Sequence, residues 1–290
     1  MPIFDARMIS AQALVAKLEL GHVAVFENEP FELAPEEGRF LSTEWSRDGA
    51  KNISLRPGAQ GVRGARGSDA ELAQMTAMMA RYAAWAERLV DRLVPRYRPG
   101  RTRGATSFRP CEIAGRAASW RQDDTRLHVD AFPSNPVRGR RILRVFTNVN
   151  PDGAAREWLL GEPFEGFAKR FFPRARSAMP GSAHLLRGLG ITKSLRSDYD
   201  HFMLQLHDLA KGDEEYQRVA TRERASFAAG TTWVVFTDQA LHAATQGQHA
   251  FEQTFYVDVD RMGDRSWSPL AVLERLAGRP LAGGVTPPAS

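Results

Sequence analysis

The sequence predicts a mainly β domain, a sandwich or barrel, with helices packed on the outside. Many short β-branched and aromatic runs follow one another between turns from Ala105 onward, and the helical patterns lie before and between them. That arrangement favours a β-sandwich or barrel over a parallel α/β sheet. Hydrophobic residues make up 43% of the 290 residues and charged residues 25%, which is typical of a globular chain with a sizeable core.

The N-terminal part is predicted to be mostly helical. Residues 9–18 show a weak helical pattern, and 22–27 alternate as a strand does. The longest helical pattern covers 69–96, where Ser68 can cap the first turn and Pro95 ends the regular repeat. Its apolar positions repeat at helical spacing: Leu72, Met75, Met78, Met79, Tyr82, Trp85, Leu89 and Leu93. We interpret this stripe as core, although its methionines and tryptophan leave a membrane-facing helix as an alternative.

The rest of the chain alternates between predicted strands and a few helices. Strands are predicted at 105–112, 126–131, 140–149, 155–160, 223–228, 231–237 and 250–259. Helices are predicted at about 162–172, 198–218 and 267–277. No composition shift marks a domain boundary. We therefore predict one domain over 1–278, with a mostly helical flank at 1–100, a β core at 101–260 and a flexible tail at 279–290.

The charge balance favours an anionic partner. Lys and Arg number 39 against 34 Asp and Glu, a net charge of +5, and only five of the cations are lysines. Arginine suits bidentate recognition of carboxylate and phosphate, although a codon bias would give the same composition. We expect no nucleic-acid partner, because no basic block is interleaved with stacking aromatics.

Cysteine usage and hydropathy predict the compartment. The single cysteine, Cys111, excludes an intramolecular disulfide and suits a reducing environment. No stretch has the length of a signal-peptide core, and none approaches the ~18 apolar residues of a transmembrane helix. We expect a soluble cytoplasmic chain and leave open a peripheral contact with a membrane. The sequence does not predict the oligomeric state.

The sharpest local motif is His128-Val129-Asp130. Residues i and i+2 of a strand point to the same face, so the imidazole and the carboxylate can bind one ion. His242 follows one predicted strand and precedes another, and it can supply a third ligand. Two histidines and one carboxylate on one face of a metal form the facial triad of non-haem Fe(II) oxygenases.

Two other metal sites compete with this interpretation. Zinc also accepts two histidines and a carboxylate, although no glutamate stands as a helical general base in the His-Glu-x-x-His manner. The second alternative combines His207 and Asp208 with His184 and His201, as in helical metal phosphohydrolases. We expect these four residues to be surface or core residues, because four ligands at suitable spacings are not apparent.

The metal motif and its surroundings resemble a known family. A His-x-Asp pair followed more than a hundred residues later by a lone histidine resembles the 2-oxoglutarate oxygenase superfamily. The stretch HVDAFPSNPVRGRRILRVFTNVNP at 128–151, followed by AREWLLGEPFEGFAKRFF at 155–172, is similar to the Kdo hydroxylases. The resemblance runs from about Phe108 to Val259. It implies a double-stranded β-helix, or jelly-roll, core.

The resemblance also implies an activity. These enzymes hydroxylate the 3-deoxy-octulosonic acid (Kdo) sugar of Kdo-lipid A, a lipopolysaccharide precursor, at its 3-position, with Fe(II), 2-oxoglutarate and O2. Ascorbate is the expected reductant in vitro. An anionic glycolipid substrate would place the chain at the cytoplasmic face of the inner membrane. Two alternatives remain: an oxygenase that acts on another small molecule or protein, and a non-catalytic, metal-binding jelly-roll module that binds sugars.

One departure from the superfamily pattern concerns the 2-oxoglutarate clamp. Many members place an arginine about ten residues beyond the distal histidine, and here none stands there. Arg144, within an apolar strand, is costly to bury without a partner, and a dicarboxylate would supply one. Arg109, Arg156 and Trp158 are further candidates for binding 2-oxoglutarate or the anionic sugar. Arg156 and Trp158 share one face of their strand.

Overall fold

The structure is a computed structural model that describes residues 3–27, 29–48, 50–116 and 118–282. Its N-terminal elements are β1 (Ile3–Asp5), α1 (Ala11–Glu19), β2 (Val23–Phe26), β3 (Ile53–Leu55), α2 (Asp69–Leu93) and β4 (Arg101–Arg109). Its later strands are β5 (Arg141–Asn148), β6 (Arg156–Leu160), β7 (Glu223–Phe227), β8 (Thr232–Phe236), β9 (His242–Gln246) and β10 (Ala250–Val257). Its later helices are α3 (Phe164–Phe171), α4 (Ser182–Gly188), α5 (Asp198–Gly212), α6 (Glu214–Val219) and α7 (Pro269–Ala277).

The strands form two sheets that pack face to face. The large sheet has the order β1-β2-β8-β5-β10-β4-β3, and the small sheet has the order β7-β6-β9. Aromatic side chains of both sheets meet between them: the ring centroids of Phe146 and Trp158 lie 5.0 Å apart, and those of Phe227 and Trp233 lie 4.1 Å apart. From β4 onward the chain winds between the two sheets, as in a double-stranded β-helix. The predicted fold class, mainly β with flanking helices, is confirmed.

Helix α2 packs on the large sheet through its methionine stripe. Met75, Met78 and Met79 are fully buried, and the Tyr82 hydroxyl donates a hydrogen bond to the Val145 carbonyl of β5. The stripe is therefore core and not a membrane face. The helix begins at the predicted cap, Ser68, whose hydroxyl accepts from the Glu71 amide, and it ends three residues before the predicted end.

The second group of helices packs on the other side of the core. A cluster of Phe167, Phe171, Leu206 and Tyr216 joins α3, α5 and α6. The predicted helix 198–218 is divided at Asp213, whose extended backbone ends α5 and whose carboxylate caps α6. This group places α5 beside the segment that carries the His-x-Asp motif.

Several elements differ from those predicted. The predicted strand 126–131 is wrong apart from one bridge at His128, because the amide of Leu127 donates to the Gln217 side chain and that of Asp130 to the Thr237 carbonyl. Strands β1, β3 and β9 and helix α4 were not predicted.

The predicted domain organisation stays a prediction. The first hundred residues also add β1, β2 and β3 to the large sheet. Of the predicted tail, Leu281 is buried and its carbonyl accepts from the Tyr199 amide, while 283–290 lie outside the described residues. Within the described ranges, no helix is long and apolar enough to cross a bilayer.

Candidate metal centre and active site

The two histidines of the predicted triad are neighbours across a strand pair. The His128 amide donates to the His242 carbonyl over 3.0 Å, and the His242 amide donates back to the His128 carbonyl over 2.9 Å. This bridge extends the small sheet beyond β9. Residues that exchange both hydrogen bonds in this way project their side chains to the same face. The two imidazoles accordingly lie with ring centroids 4.7 Å apart.

Backbone carbonyls orient both imidazoles. The Nδ1 of His128 lies 2.7 Å from the Arg126 carbonyl, and the Nδ1 of His242 lies 2.8 Å from the Ala240 carbonyl. A carbonyl accepts only, so each Nδ1 carries the proton and each Nε2 keeps a free lone pair. The Trp158 ring stacks on the face of the His242 ring, with the two ring centroids 5.0 Å apart, and restricts its rotation. Burial lowers the pKa of both histidines, which keeps the rings neutral.

Asp130 completes the group. Its Oδ1 lies 4.0 Å from the His128 Nε2, and its Oδ2 is buried without a hydrogen-bond donor. Burial acts to raise the pKa of Asp130, but the charge of the nearby Arg144 is the largest effect against it, so the pKa is lowered and the carboxylate is charged. One ligand atom from each of the three residues lies within 4.8 Å of the others. Two neutral imidazole nitrogens and one carboxylate are the donor set that Fe(II) takes in facial-triad sites.

The competing histidine cluster does not form. His184 is exposed on α4, and the Nε2 of His201 contacts the Arg176 carbonyl. Asp208 pairs with Arg121 and with the Nδ1 of His207. Across 3–27, 29–48, 50–116 and 118–282, the triad is the one group of three or more acidic, His or Cys residues that could hold a metal ion. His207 nonetheless lies beside the triad, with its ring centroid 5.4 Å from that of His128.

A cavity of about 120 Å³ adjoins the triad. Its walls carry all four of the predicted cofactor-binding residues: Arg109, Arg144, Arg156 and Trp158. The structure thus brings the seven predicted site residues to one cavity. The three arginines differ in the partners that they have within the protein.

Arg144 and Arg109 are compensated by carboxylates of the protein. The Arg144 Nη1 lies 2.9 Å from Glu252, and its Nε lies 3.1 Å from Asp130 without aligning as a hydrogen bond. Arg109 donates to the other oxygen of Glu252 from both Nε and Nη2, over 3.0 and 2.8 Å. Burial acts to raise the pKa of Glu252, but Arg144 and Arg109 outweigh it and lower it.

Arg156 has no such partner. It is 3% exposed, and no described carboxylate forms an ion pair with it. Its Nη1 donates to the Gly247 carbonyl over 3.2 Å, and its Nε is buried without an acceptor. Burial and the nearby Arg109 lower the pKa of Arg156, and they outweigh the carboxylates of Glu252, Asp124 and Glu112, which act to raise it. A buried charge is costly unless it is paired, so Arg156 suits an anion supplied by a ligand.

Sequence reasoning missed two carboxylates at the site. Glu252 stands ten residues beyond His242, where many superfamily members place the arginine clamp, and here it joins Arg109 to Arg144. Asp124 pairs with Arg116 at 2.8 Å and approaches Lys51 at 3.4 Å. For Glu252, the available signal was a glutamate inside the apolar run of β10. Asp124 lies in an irregular segment, and its polar neighbours gave no signal.

A wider cleft opens outside the cavity. It measures about 580 Å³ and shares Arg109, Arg144 and Glu252 with the inner cavity. Its outer walls include Arg56, Arg103 and Lys193. Arg56 and Lys193 form no ion pair with any described residue, so the mouth of the cleft is positively charged.

Comparisons with known proteins agree with this geometry. The family model described as 3-deoxy-D-manno-oct-2-ulosonic acid (Kdo) hydroxylase matches residues 6–280. No curated protein matches the chain. Among solved structures, one of the Kdo hydroxylase KdoO, a non-heme Fe(II) alphaketoglutarate dependent dioxygenase, in complex with alphaketoglutarate and Fe(III), is 42% identical. It matches with a TM-score of 0.91 over 97% of each chain.

Two further structures of that enzyme match as well. The complex with cobalt(II) is 42% identical, with a TM-score of 0.93 over 98% of each chain. The complex with succinate and Fe(III) is 41% identical, with a TM-score of 0.92 over 98% of each chain. The resemblance seen in the sequence is confirmed at the level of the family.

Proposed function

The chain belongs to the Kdo hydroxylase family, and on that basis we propose that it hydroxylates the Kdo sugar of Kdo-lipid A at the 3-position. The reaction would use Fe(II), 2-oxoglutarate and O2 and would take place at the cytoplasmic face of the inner membrane. The observation that carries this proposal is the triad, in which two imidazoles with free Nε2 lone pairs and one charged carboxylate converge on a cavity.

His128, Asp130 and His242 would hold the iron. Their donor types suit Fe(II), and backbone contacts fix both imidazoles before any metal binds, so little ordering is needed on binding. Bound Fe(II) and 2-oxoglutarate would supply the oxidising chemistry, in which one oxygen atom of O2 enters the substrate C–H bond and the other enters succinate as carbon dioxide leaves. The protein's own contribution is to orient the reactants and to exclude water.

Arg156 would bind the far carboxylate of 2-oxoglutarate. It is the cavity arginine without a carboxylate partner among the described residues, and its free Nε–H can donate to an anion. A guanidinium and a carboxylate form two parallel hydrogen bonds, which fixes the orientation of the cosubstrate. Arg144, which the sequence favoured for this role, becomes the second candidate, since its ion pairs with Asp130 and Glu252 would have to be shared. Trp158 would form an apolar wall beside His242.

The wider cleft would receive the sugar. Kdo carries a carboxylate, and its attraction to Arg56, Arg103 and Lys193 would draw it towards the inner cavity. Asn135 donates to the Tyr256 hydroxyl over 2.8 Å in the same wall, which presents polar groups to sugar hydroxyls. This placement would bring a C–H bond of the sugar to the open side of the triad.

Mass spectrometry of Kdo-lipid A tests the proposal. The glycolipid is incubated with the protein, Fe(II), ascorbate and 2-oxoglutarate, and we expect one added oxygen on the Kdo residue and an equal amount of succinate. Fragmentation then locates the hydroxyl group. Succinate release without a modified sugar would point to another substrate, and no succinate release at all would contradict the oxygenase assignment.

A further inference from the structure

The segment between α3 and α5 has an unusual surface. Seven large hydrophobic side chains are exposed in the described part of the chain, and four of them lie within it: Met179, Leu185, Leu189 and Ile191. Their exposed fractions run from 49% to 77%. The other three, Met8, Val219 and Trp267, lie in separate parts of the chain. Exposed apolar side chains concentrated in one short segment indicate a surface that binds a partner.

This segment and the part of α3 that precedes it lack acidic residues. Residues 166–197, which we call the acid-free lobe, contain no Asp or Glu. They carry seven cations: Lys169, Arg170, Arg174, Arg176, Arg187, Lys193 and Arg196. Lys169, Arg170 and Arg174 pair with carboxylates outside the lobe. No described carboxylate forms an ion pair with Arg176, Arg187 or Lys193, and these three are exposed. The cations around the apolar side chains are therefore free to meet an anionic surface.

From these observations we propose that the acid-free lobe docks the protein on an anionic lipid bilayer. Exposed leucine and methionine side chains would enter the boundary between headgroups and acyl chains, and the surrounding arginines would meet lipid phosphates. A second copy of this chain is a poorer occupant, since two such lobes would bring cations together. A protein partner would need an acidic face to match, whereas an anionic bilayer offers both charge and apolar depth.

Hydrogen bonds hold the lobe together and attach it to the rest of the domain. α4 contributes Leu185, and Leu189 lies one turn later, where its amide donates to the Leu185 carbonyl. The Ile191 amide turns back to the Leu186 carbonyl and closes the loop. At one end, the amide and carbonyl of Arg176 bind the Gln205 side chain of α5. At the other end, the Lys193 amide donates to the Ser134 carbonyl.

The attachment points place the lobe at the mouth of the cleft. Pro133, Ser134 and Lys193 line the cleft of about 580 Å³. Arg196 of the lobe donates to the Pro133 carbonyl, and the Lys193 amide binds Ser134. A bilayer that touches the lobe would therefore lie beside the cleft entrance, where a headgroup sugar can enter while its acyl chains stay in the membrane. This functional advantage rests on the proposed glycolipid substrate, whereas lipid binding by the lobe does not.

Vesicle co-sedimentation tests the docking surface. The full-length protein is mixed with phosphatidylcholine vesicles, or with vesicles that also contain phosphatidylglycerol, without iron or substrate. We expect binding to the anionic vesicles and little to the neutral ones, with loss of binding as salt screens the lipid charge. Arg176→Glu with Arg187→Glu should weaken binding at least about twenty-five-fold, from about fivefold for each surface cation lost. Leu185→Ser with Leu189→Ser should weaken it at least about tenfold.

A matched control carries the same kind of change elsewhere. Met8→Ser with Val219→Ser removes two exposed apolar side chains outside the lobe and should bind vesicles as the wild type does. Thermal unfolding checks that all variants fold. Equal binding by the lobe variants and the wild type, or no binding of the wild type to anionic vesicles, would overturn the inference. The inference would also be overturned if the wild type does not bind vesicles but dimerises in solution, and if Leu185→Ser with Leu189→Ser abolishes the dimer.

A water-soluble substrate separates this inference from the proposed function. The lobe variants should hydroxylate a deacylated Kdo saccharide as fast as the wild type and lose rate only on Kdo-lipid A in anionic vesicles. Vesicle binding without hydroxylation of either substrate would refute the proposed function and leave the docking surface intact. Hydroxylation of vesicle-borne Kdo-lipid A by the lobe variants at the wild-type rate would refute the functional advantage of docking, while vesicle co-sedimentation decides the docking surface itself.

Discussion

Two regions of the β core each bury an arginine, but only one of the two arginines is paired with a carboxylate of the protein. Arg141, where β5 begins, is fully buried, and its Nε donates to Asp238 over 2.7 Å. Its guanidinium also contacts Gln239 and lies 4.0 Å over the Phe236 ring. Arg156, where β6 begins, is nearly as buried but has one backbone carbonyl as its acceptor.

The difference separates a structural cation from a ligand-binding one. A buried charge must be compensated, and at Arg141 the protein supplies the carboxylate itself. At Arg156 the burial is similar, yet no described carboxylate forms an ion pair with it. We infer that the region around Arg141 is complete without a ligand, whereas the cavity beside the triad is completed by one. The following predictions test this contrast.

The largest expected effect is on the metal at the cavity. Asp130→Ala removes the one carboxylate of the triad, so we expect loss of bound iron and a fall in succinate release of at least about a thousandfold, since a bound metal is worth several kcal/mol of catalysis. Iron content and turnover are measured on the same preparation. An Asp130→Ala enzyme that keeps its iron and its rate would refute the assignment of the triad.

The next effect is on the stability of the paired region. Arg141→Met leaves Asp238 buried without its cation, so we expect the free energy of unfolding to fall by about 3–5 kcal/mol. Arg156→Met removes a cation that no described carboxylate pairs with, so its free energy of unfolding should be unchanged or raised. Urea unfolding of both variants measures the difference. Equal destabilisation would show that the two arginines are both structural.

A smaller effect concerns the cosubstrate. Arg156→Met should raise the concentration of 2-oxoglutarate needed for half-maximal rate on the order of a hundredfold, because a buried charge-assisted pair is lost. Arg144→Met is the matched variant, at a buried arginine of the same cavity that already has two carboxylate partners. A larger shift in Arg144→Met than in Arg156→Met would make Arg144 the clamp.

An effect of the same size is ligand-induced stabilisation of the cavity region. With Co(II) present, 2-oxoglutarate at a hundred times its dissociation constant should stabilise the wild type by about 2.7 kcal/mol. That corresponds to a rise in Tm of roughly 5–10 °C, measured by differential scanning calorimetry. The rise should be much smaller in Arg156→Met. A full rise in that variant would mean that the carboxylate of 2-oxoglutarate binds elsewhere.

The sequence by itself determined the fold class and predicted the three residues that the structure brings together as the triad. Strand alternation and turns predicted β5 to β8 and β10 within a few residues, because the period of two is a local property of a half-buried strand. The pair His128 and Asp130 stood out because two ligand types recur at a spacing that shares a face. Strand alternation and the His-x-Asp spacing depend on neighbours in the chain, so they can be recognised in the sequence.

The tertiary structure alone decided which charges compensate one another. Arg109, Arg144 and Arg156 are equivalent as sequence, each a cation in an apolar run. Glu252 reaches two of them only because β10 lies between β4 and β5. The strand at 126–131 failed for the same reason, since its amides bind partners about ninety residues or more away in the chain. Pairings between distant segments are set by the packing of sheets and loops, which no local pattern records.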